Sequence, residues 1–229
     1  TVQPLEEIGN LCKINNIYFI IDSAQTAGAL PVDFKALNAN AIAFTGHKGL
    51  MGPQGTGGFL IDDSLNNIAA PVVLGGTGSL SSSTLQPDFL PDKFESGTMN
   101  GPGLFGLQAS INFIMNTGID VIRHKKSELT KKFMKGLLEI DKVNIFAHDS
   151  SMDTGVISTT FNGREVSEIG YLLDTEYNIM TRVGLHCAPL AHKTIGTYPS
   201  GTLRFSLGYF NTEEEIEFTL KALNNLLRR

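Results

Sequence analysis

Tryptophan is absent from the 229 residues of this chain, and cysteine occurs only at Cys12 and Cys187. Two cysteines cannot form the disulfide framework of a small secreted domain, so we expect a reducing compartment, the cytoplasm. No apolar run approaches the roughly 20 residues that cross a bilayer, and nothing resembles a signal peptide, so we expect no membrane partner. The net charge of -5 comes without a basic stripe, so we also expect no nucleic-acid partner.

Apolar residues make up 41% of the chain and charged residues 18%, which is the composition of a folded protein with a sizeable core. The first half follows an α/β pattern. Helical spacing of apolar residues over 2–12 is followed by an uninterrupted apolar run at 17–21, and further strands are predicted at 41–44 and 57–61. Because uninterrupted runs are typical of parallel strands, we expect the strand at 17–21 to be covered on both faces.

The second half of the chain follows a loop rich in glycine and serine at 75–83. Helices are predicted from 103 onward, including a long one through 119–138 that could lead into a second domain. Strands and helices then alternate, with strands at 143–147, 155–161, 179–183 and 202–207, a helix at 166–177, and a last helix after Thr212, whose hydroxyl forms a capping box with Glu215.

Polar residues follow the first two predicted strands, at the edge where ligands bind in parallel α/β sheets. Asp22 comes after the first strand, and Lys48 comes shortly after the second. A lysine and a carboxylate so placed suit pyridoxal phosphate, because the amine forms a Schiff base with the aldehyde and the carboxylate keeps the pyridine nitrogen protonated. Thr45 and His47 flank the lysine and could donate to a phosphate. A structural salt bridge between Asp22 and Lys48 is the alternative.

Cys187 lies in a short segment between predicted strands, directly after His186. A thiolate assisted by the neighbouring imidazole would be a nucleophile. An inert, buried cysteine is the alternative, and Cys12 on the apolar face of its helix fits that description. No spacing typical of metal ligands occurs, so we predict no metal site and interpret the other histidines as surface or core residues: His124, His148 and His192.

Two further segments carry candidate binding residues. Gly97 and Thr98 could reach a phosphate, although from these residues alone an ordinary loop before a helix is the more common explanation. Arg204 alternates with apolar neighbours in its predicted strand, and its planar guanidinium matches a carboxylate. A solvated strand face is the alternative reading of Arg204.

Five short motifs resemble those of class V aminotransferase-fold enzymes. IIDSAQ at 20–25 and TGHKG at 45–49 resemble the cofactor-lysine region of that family, and GTLRFS at 201–206 matches as well. FESGTMN at 94–100 and RVGLHCA at 182–188 resemble more specifically the branch of cysteine desulfurases and selenocysteine lyases. The motifs occur in family order across nearly the whole chain.

The resemblance implies an α/β fold, the pyridoxal phosphate-dependent transferase fold type I. Residues 1–117 would be the C-terminal part of the large cofactor-binding domain with its mixed or parallel sheet, and 118–229 the small C-terminal α+β domain. Family members carry a further N-terminal portion with a phosphate-binding turn. Since this chain begins at Thr1 without it, we expect a C-terminal fragment of a longer enzyme.

The resemblance also implies a role for each matching residue. Three residues would be catalytic, with Lys48 binding the cofactor and moving the substrate α-proton, Cys187 attacking the substrate sulfur, and His186 beside it. The cofactor would be held by Asp22 at the pyridinium and by Gln25 at the ring oxygen. Its phosphate would be bound by Thr45, His47, Gly97 and Thr98, of which Thr98 would reach the phosphate of the cofactor in a second subunit. Arg204 and Arg182 would bind the substrate carboxylate.

The implied function is a pyridoxal phosphate-dependent cysteine desulfurase that converts L-cysteine to L-alanine and leaves a persulfide on Cys187. The implied partners are a second copy of the chain in a homodimer and a protein that accepts the persulfide. A selenocysteine lyase, or another class V aminotransferase, is the alternative within the fold. A non-catalytic fragment that lacks the N-terminal cofactor-binding part is the alternative from a different class.

Overall fold

The computed structural model describes residues 2–146 and 154–229, which fall into two compact units, Gln3–Ile119 and Asp120–Arg229. The elements of the first are α1 (Leu5–Ile14), β1 (Ile20–Asp22), β2 (Ala41–Thr45), β3 (Gly57–Ile61), α2 (Asp63–Ile68) and α3 (Gly101–Thr117). Those of the second are α4 (Ile119–Leu138), β4 (Val143–Phe146), β5 (Val156–Phe161), α5 (Val166–Tyr177), β6 (Arg182–Gly184), α6 (Pro189–Thr194), β7 (Thr202–Ser206) and α7 (Glu213–Arg228).

A three-stranded mixed sheet, in the order β1-β2-β3, forms the centre of the first unit. β1 runs parallel to β2 with Asp22 opposite Ala43, and β3 runs antiparallel to β2. The buried side chains that pack around this sheet are Ile21, Leu37, Ala39 and Ile42. The predicted α/β architecture is confirmed, since a parallel pair of strands is joined by the connection at 23–40.

The first strand departs from its prediction in length and in burial. The expected strand covered 17–21, whereas β1 begins at Ile20 and ends at Asp22. The expected cover on both faces was wrong for this chain, because Ile20 is 63% exposed and Ile17 59%. Side chains alternate between the two faces of a strand, and in β1 only the face of Ile21, which is 4% exposed, is covered. β1 is also an edge strand, with a neighbour only on the side of β2.

The second unit is an α+β arrangement, as expected. Its four-stranded sheet has the order β4-β5-β7-β6, and all neighbouring strands are antiparallel. Helices α4, α5 and α7 pack on one face of this sheet, where Leu203 and Phe205 of β7 are buried. Because side chains alternate along a strand, Thr202 and Arg204 of β7 belong to the opposite face.

Several element boundaries follow from local sequence and were predicted. The helix at 166–177 is α5, and the capping box of Thr212 with Glu215 begins α7. The helical region after 103 is two helices, because Gly118 adopts φ 89 between α3 and α4. The strand expected at 143–147 is observed to Phe146, with residue 147 outside the described residues. Helices α2 and α6 were not predicted.

None of the helices in the described ranges 2–146 and 154–229 is long and apolar enough to span a bilayer.

Candidate active site

The carboxyl edge of the β1-β2 pair carries the first group of candidate residues. Asp22 is the last residue of β1, is exposed, and accepts a hydrogen bond of 2.9 Å on Oδ1 from the backbone of Ala24. The next residue, Ser23, is buried and binds the Ala43 carbonyl through both its amide and its hydroxyl, each at 2.8 Å. These bonds hold Asp22 in register with the end of β2.

Lys48 lies in a closed turn that follows β2. The amide of Gly52 donates to the Gly46 carbonyl at 2.7 Å, and the amide of Met51 donates to the Lys48 carbonyl at 2.9 Å. The Lys48 side chain is exposed. Beside it, Thr45 Oγ1 lies 3.0 Å from His47 Nδ1, so a hydroxyl and an imidazole are paired next to the lysine.

Close backbone contact joins the turn after β1 to the turn after β2. A Cβ placed on Gly49 would lie 2.4 Å from the Ala27 carbonyl oxygen, and one on Gly28 would lie 2.4 Å from the Gly49 carbonyl oxygen. Gly28 also adopts φ 79, which favours glycine. The exposed Gln25 lies in the first of these turns. Asp22, Gln25 and Lys48 therefore belong to two turns that touch.

Helix α3 packs against the turn that carries Lys48. Leu107 of α3 is buried, and a Cβ on Gly46 or Gly52 would meet its Cδ1 at 3.2 and 2.8 Å. The turn therefore rests on a packed side chain. Residues 97 and 98, which precede α3, are exposed, and Gly97 adopts φ 73 while its amide donates to the Gly75 carbonyl at 3.0 Å.

The second unit presents two guanidinium groups on one face of its sheet. Arg182 of β6 lies directly opposite Arg204 of β7, and side chains of such a pair point to the same face. Among the described residues neither guanidinium forms an ion pair with a carboxylate, and Arg204 Nε is buried without a hydrogen-bond partner. Like charges directly opposite each other are unfavourable, so this face is suited to an anion.

Cys187 lies beside this pair of arginines. Its side chain is exposed, and Arg182 Nη2 donates to Cys187 Sγ at 3.6 Å. His186 Nε2 forms a hydrogen bond of 3.1 Å with Thr202 Oγ1. The group that contacts the sulfur is therefore a guanidinium, which places a positive charge beside the thiol.

Burial and positive charge shift two pKa values at this face. Burial, followed by the positive charge of the neighbouring Arg182, lowers the pKa of Arg204 below its ordinary value. Burial, followed by the charges of Arg204 and His192, lowers the pKa of His186 below 6.5. Both effects favour the neutral form of the His186 imidazole.

Comparison with known proteins identifies the family. The family model described as Aminotransferase class-V matches residues 1–218. The chain belongs to the aminotransferase class-V family.

Relatives of this class-V chain bear one activity in their names. It is 33% identical to a "Probable cysteine desulfurase" of Methanothermobacter thermautotrophicus over 99% of this chain and 57% of that protein. It is 34% identical to another of the same name from Pyrococcus abyssi, over 99% and 56% respectively. The solved apo structure of a cysteine desulfurase from Thermococcus onnurineus matches with a TM-score of 0.90 at 34% identity, covering 98% of this chain and 56% of that one.

These matches establish the fold of the chain, and they cover only part of the length of each relative. The class-V chain has the fold of the pyridoxal phosphate-dependent fold type I enzymes, as the motifs predicted. It spans a little over half the length of the relatives it matches. The assignment of 1–117 to a large cofactor-binding domain and of 118–229 to a small domain stays a prediction.

The structure brings the predicted site residues together in two groups. Asp22, Gln25, Thr45, His47 and Lys48 share the carboxyl edge of the first unit. In the second unit the grouped residues are Arg182, His186, Cys187 and Arg204. Gly97 and Thr98 belong to neither group, and their role stays a prediction.

The contacts of His186 were not foreseen from sequence. We predicted an imidazole that assists the thiolate, whereas the observed partner of the imidazole is Thr202 and that of the sulfur is Arg182. A further residue, His192, is buried and lies against the His186 ring, with centroids 5.5 Å apart. Its position six residues after His186 gives no sequence signal, because His192 lies within α6 and His186 in the turn before that helix.

The sequence contains one further cysteine and two further histidines. Cys12 is half-buried, and His124 is exposed on α4. His148 lies outside the described residues. In the ranges that the structure describes, no three His, Cys, Asp or Glu side chains are grouped so that they could hold a metal ion.

Proposed function

We propose that this chain supplies the cofactor lysine, the nucleophilic cysteine and the carboxylate-binding arginine of a pyridoxal phosphate-dependent cysteine desulfurase. The observation that carries the proposal is the exposed thiol of Cys187 in contact with Arg182, opposite the unpaired Arg204. A thiol held by a cation beside an anion-binding guanidinium is what sulfur removal from an amino acid requires.

The residues of the carboxyl edge fit pyridoxal phosphate by their chemistry. The edge offers one carboxylate for a pyridinium nitrogen at Asp22, an exposed amine for an aldehyde at Lys48, and a hydroxyl-imidazole pair for a phosphate at Thr45 and His47. Gly28 and Gly49 bring the two turns that carry these groups into contact. Gln25, in the first of those turns, is the proposed partner of the ring oxygen.

Each residue then has a defined task. Pyridoxal phosphate, when bound, supplies an electron sink that makes the substrate α-proton acidic. The Lys48 amine removes and returns that proton, and Arg204 binds the substrate carboxylate through its guanidinium. Arg182 donates to the Cys187 sulfur and so holds it in place for its attack on the substrate.

The sulfur-transfer step balances without an added oxidant. The Cys187 thiolate forms an S–S bond with the sulfur of L-cysteine as the bond from that sulfur to the substrate Cβ breaks. The electron pair of the broken bond stays with the carbon skeleton, which takes up a proton at Cβ and leaves as L-alanine. Cys187 is left as a persulfide, and a thiol of a partner protein could then accept the outer sulfur.

The first test is chemical capture of the cofactor at Lys48. The chain is mixed with pyridoxal phosphate, reduced with borohydride, and mapped by peptide mass. We expect the adduct on Lys48 and its loss in Lys48→Ala, whereas Lys35→Ala, which removes another exposed lysine of the same unit, should retain it. An adduct spread evenly over the surface lysines would contradict the cofactor site.

The second test measures the reaction itself in a complete enzyme. This chain replaces the matching part of the Thermococcus onnurineus desulfurase, whose structure it matches with a TM-score of 0.90. With L-cysteine the chimera should form alanine and a persulfide on Cys187. Cys187→Ser should abolish both products, whereas Cys12→Ser should not. A keto acid in place of alanine would indicate a transaminase, and selenide release that survives Cys187→Ala would indicate a selenocysteine lyase.

Further features of the proposal concern assembly and partners. We propose a homodimer in which Thr98 reaches the phosphate of the other subunit's cofactor. The persulfide acceptor protein, the cytoplasmic location and selenocysteine as a second substrate stay predictions. Sedimentation of the chimera, with and without Thr98→Val, measures the dimer and its dependence on that hydroxyl.

A further inference from the structure

The peptide that presents Cys187 has a strained backbone. His186 and Cys187 adopt φ 52 and φ 62, so two consecutive residues other than glycine lie in the left-handed region. Such a conformation costs energy and persists only where surrounding contacts hold it. The Cys187 side chain is exposed, so the contacts that hold this backbone have to come from neighbouring residues.

A closed circuit of contacts surrounds this peptide. His186 Nε2 and Thr202 Oγ1 are 3.1 Å apart, and the His186 ring lies 5.5 Å from the ring of His192. A hydrogen bond of 2.7 Å joins His192 Nδ1 to Thr197 Oγ1, and the amide of Gly201 donates to the Thr197 carbonyl at 2.7 Å. Gly201 precedes Thr202 and closes the circuit. We call these five residues the histidine clamp.

His192 is the member that connects the clamp to the cysteine peptide. It is only 5% exposed, and its amide donates at 3.2 Å to the carbonyl of Ala188, the residue after Cys187. Its own carbonyl accepts from the amide of Thr197 at 2.9 Å. The buried residue His192 therefore contacts the residue before Cys187 through its ring and the residue after Cys187 through its backbone amide.

We propose that His192 is a positioning residue, which holds the strained peptide so that Cys187 Sγ stays beside Arg182 Nη2. The inference rests on the proposed function only in taking Cys187 as the nucleophile. The competing interpretation is a buried histidine that fills space, with no effect on the sulfur. The two differ in what happens when the hydroxyl partner of His192 is removed without a change of volume.

Alkylation of the thiols by iodoacetamide at pH 7, followed by peptide mass mapping, reports on Cys187 with Cys12 as the internal reference. Thr197→Val removes the hydroxyl that His192 binds, and Thr197→Ser restores it. His192→Phe keeps a ring against His186 and removes the hydrogen bond. Thr194→Val is the matched control, because its hydroxyl donates to the Leu190 carbonyl on the same helix.

We expect Cys187 alkylation to slow by about threefold or more in Thr197→Val and His192→Phe, because the sulfur loses its contact with the Arg182 guanidinium, the cation beside the attacking atom. Thr197→Ser and Thr194→Val should remain near the original rate. In an Arg182→Gln background Thr197→Val should have no further effect, since the two changes act on one contact. An unchanged or faster rate in Thr197→Val, or an equal loss in the Arg182→Gln background, overturns the proposal.

The readout separates this inference from the proposed function. Alkylation requires neither cofactor nor L-cysteine, so a clamp effect can be observed in a chain that forms no alanine. Conversely, the chimera could form alanine while Thr197→Val leaves the rate of Cys187 alkylation unchanged. That result would support the desulfurase proposal and reject the histidine clamp.

Discussion

The contact between the turns after β1 and β2 predicts that Gly49→Ala damages the cofactor site. The new Cβ would lie 2.4 Å from the Ala27 carbonyl oxygen, about 1 Å closer than ordinary van der Waals contact. The obstructing atom belongs to the backbone, so a turn has to move. Gly49 does not adopt a positive φ, so the effect is steric and carries no conformational penalty of its own.

The magnitude follows from that displacement. Overpacking of this kind costs about 1–3 kcal/mol, and a shift of about 1 Å in a reacting group can cost roughly a hundredfold in rate. We therefore expect the chimera carrying Gly49→Ala to lose about two orders of magnitude in alanine formation. In the chain itself, the yield of the reduced Lys48 adduct should fall and the Gly52 amide should exchange with solvent faster, because the lysine turn opens.

The matched control is Gly101→Ala. A Cβ on Gly101 at the start of α3 would meet nothing within 4 Å, so the same chemical change should leave adduct yield and amide exchange unaltered. If Gly49→Ala retained the original adduct yield, Gly52 exchange and alanine formation, the two turns would not position Lys48 and the reasoning would be refuted.

Three further predictions concern stability in the second unit, measured by urea unfolding followed by circular dichroism. Phe133→Ala should cost about 3–5 kcal/mol, because the ring is 1% exposed and packs edge-on against Phe205 at 4.9 Å; a cost below that of a surface change would contradict this packing. Thr212→Ala should cost about 1 kcal/mol through loss of the capping box with Glu215, and Thr212→Ser should restore it. Since burial lowers the pKa of His186, folding disfavours its imidazolium, so stability should be lost as the pH falls below about 6.5. His186→Gln should reduce that acid-induced loss, and an identical pH profile would show that His186 does not contribute.

The two groups of candidate site residues differ in how well the sequence predicted their contacts. Asp22 ends β1 and Lys48 follows β2, and parallel strands place their carboxyl ends at one edge, so the pattern alone predicted their shared location. The contact of Arg182 with Cys187 was not predicted, because it depends on two left-handed residues that turn the peptide back toward β6. Such conformations leave no periodic signal in residues other than glycine.

The sequence by itself determined the α/β pattern, the family motifs and the ends of α5 and α7, because periodicity and capping are local interactions between residues a few positions apart. Only the tertiary structure decided that β1 is an exposed edge, that Gly28 meets Gly49, and that the His186 ring meets His192. These features depend on contacts across chain reversals and on strand neighbours. Such contacts form through space, and the order of residues along the chain does not encode them locally.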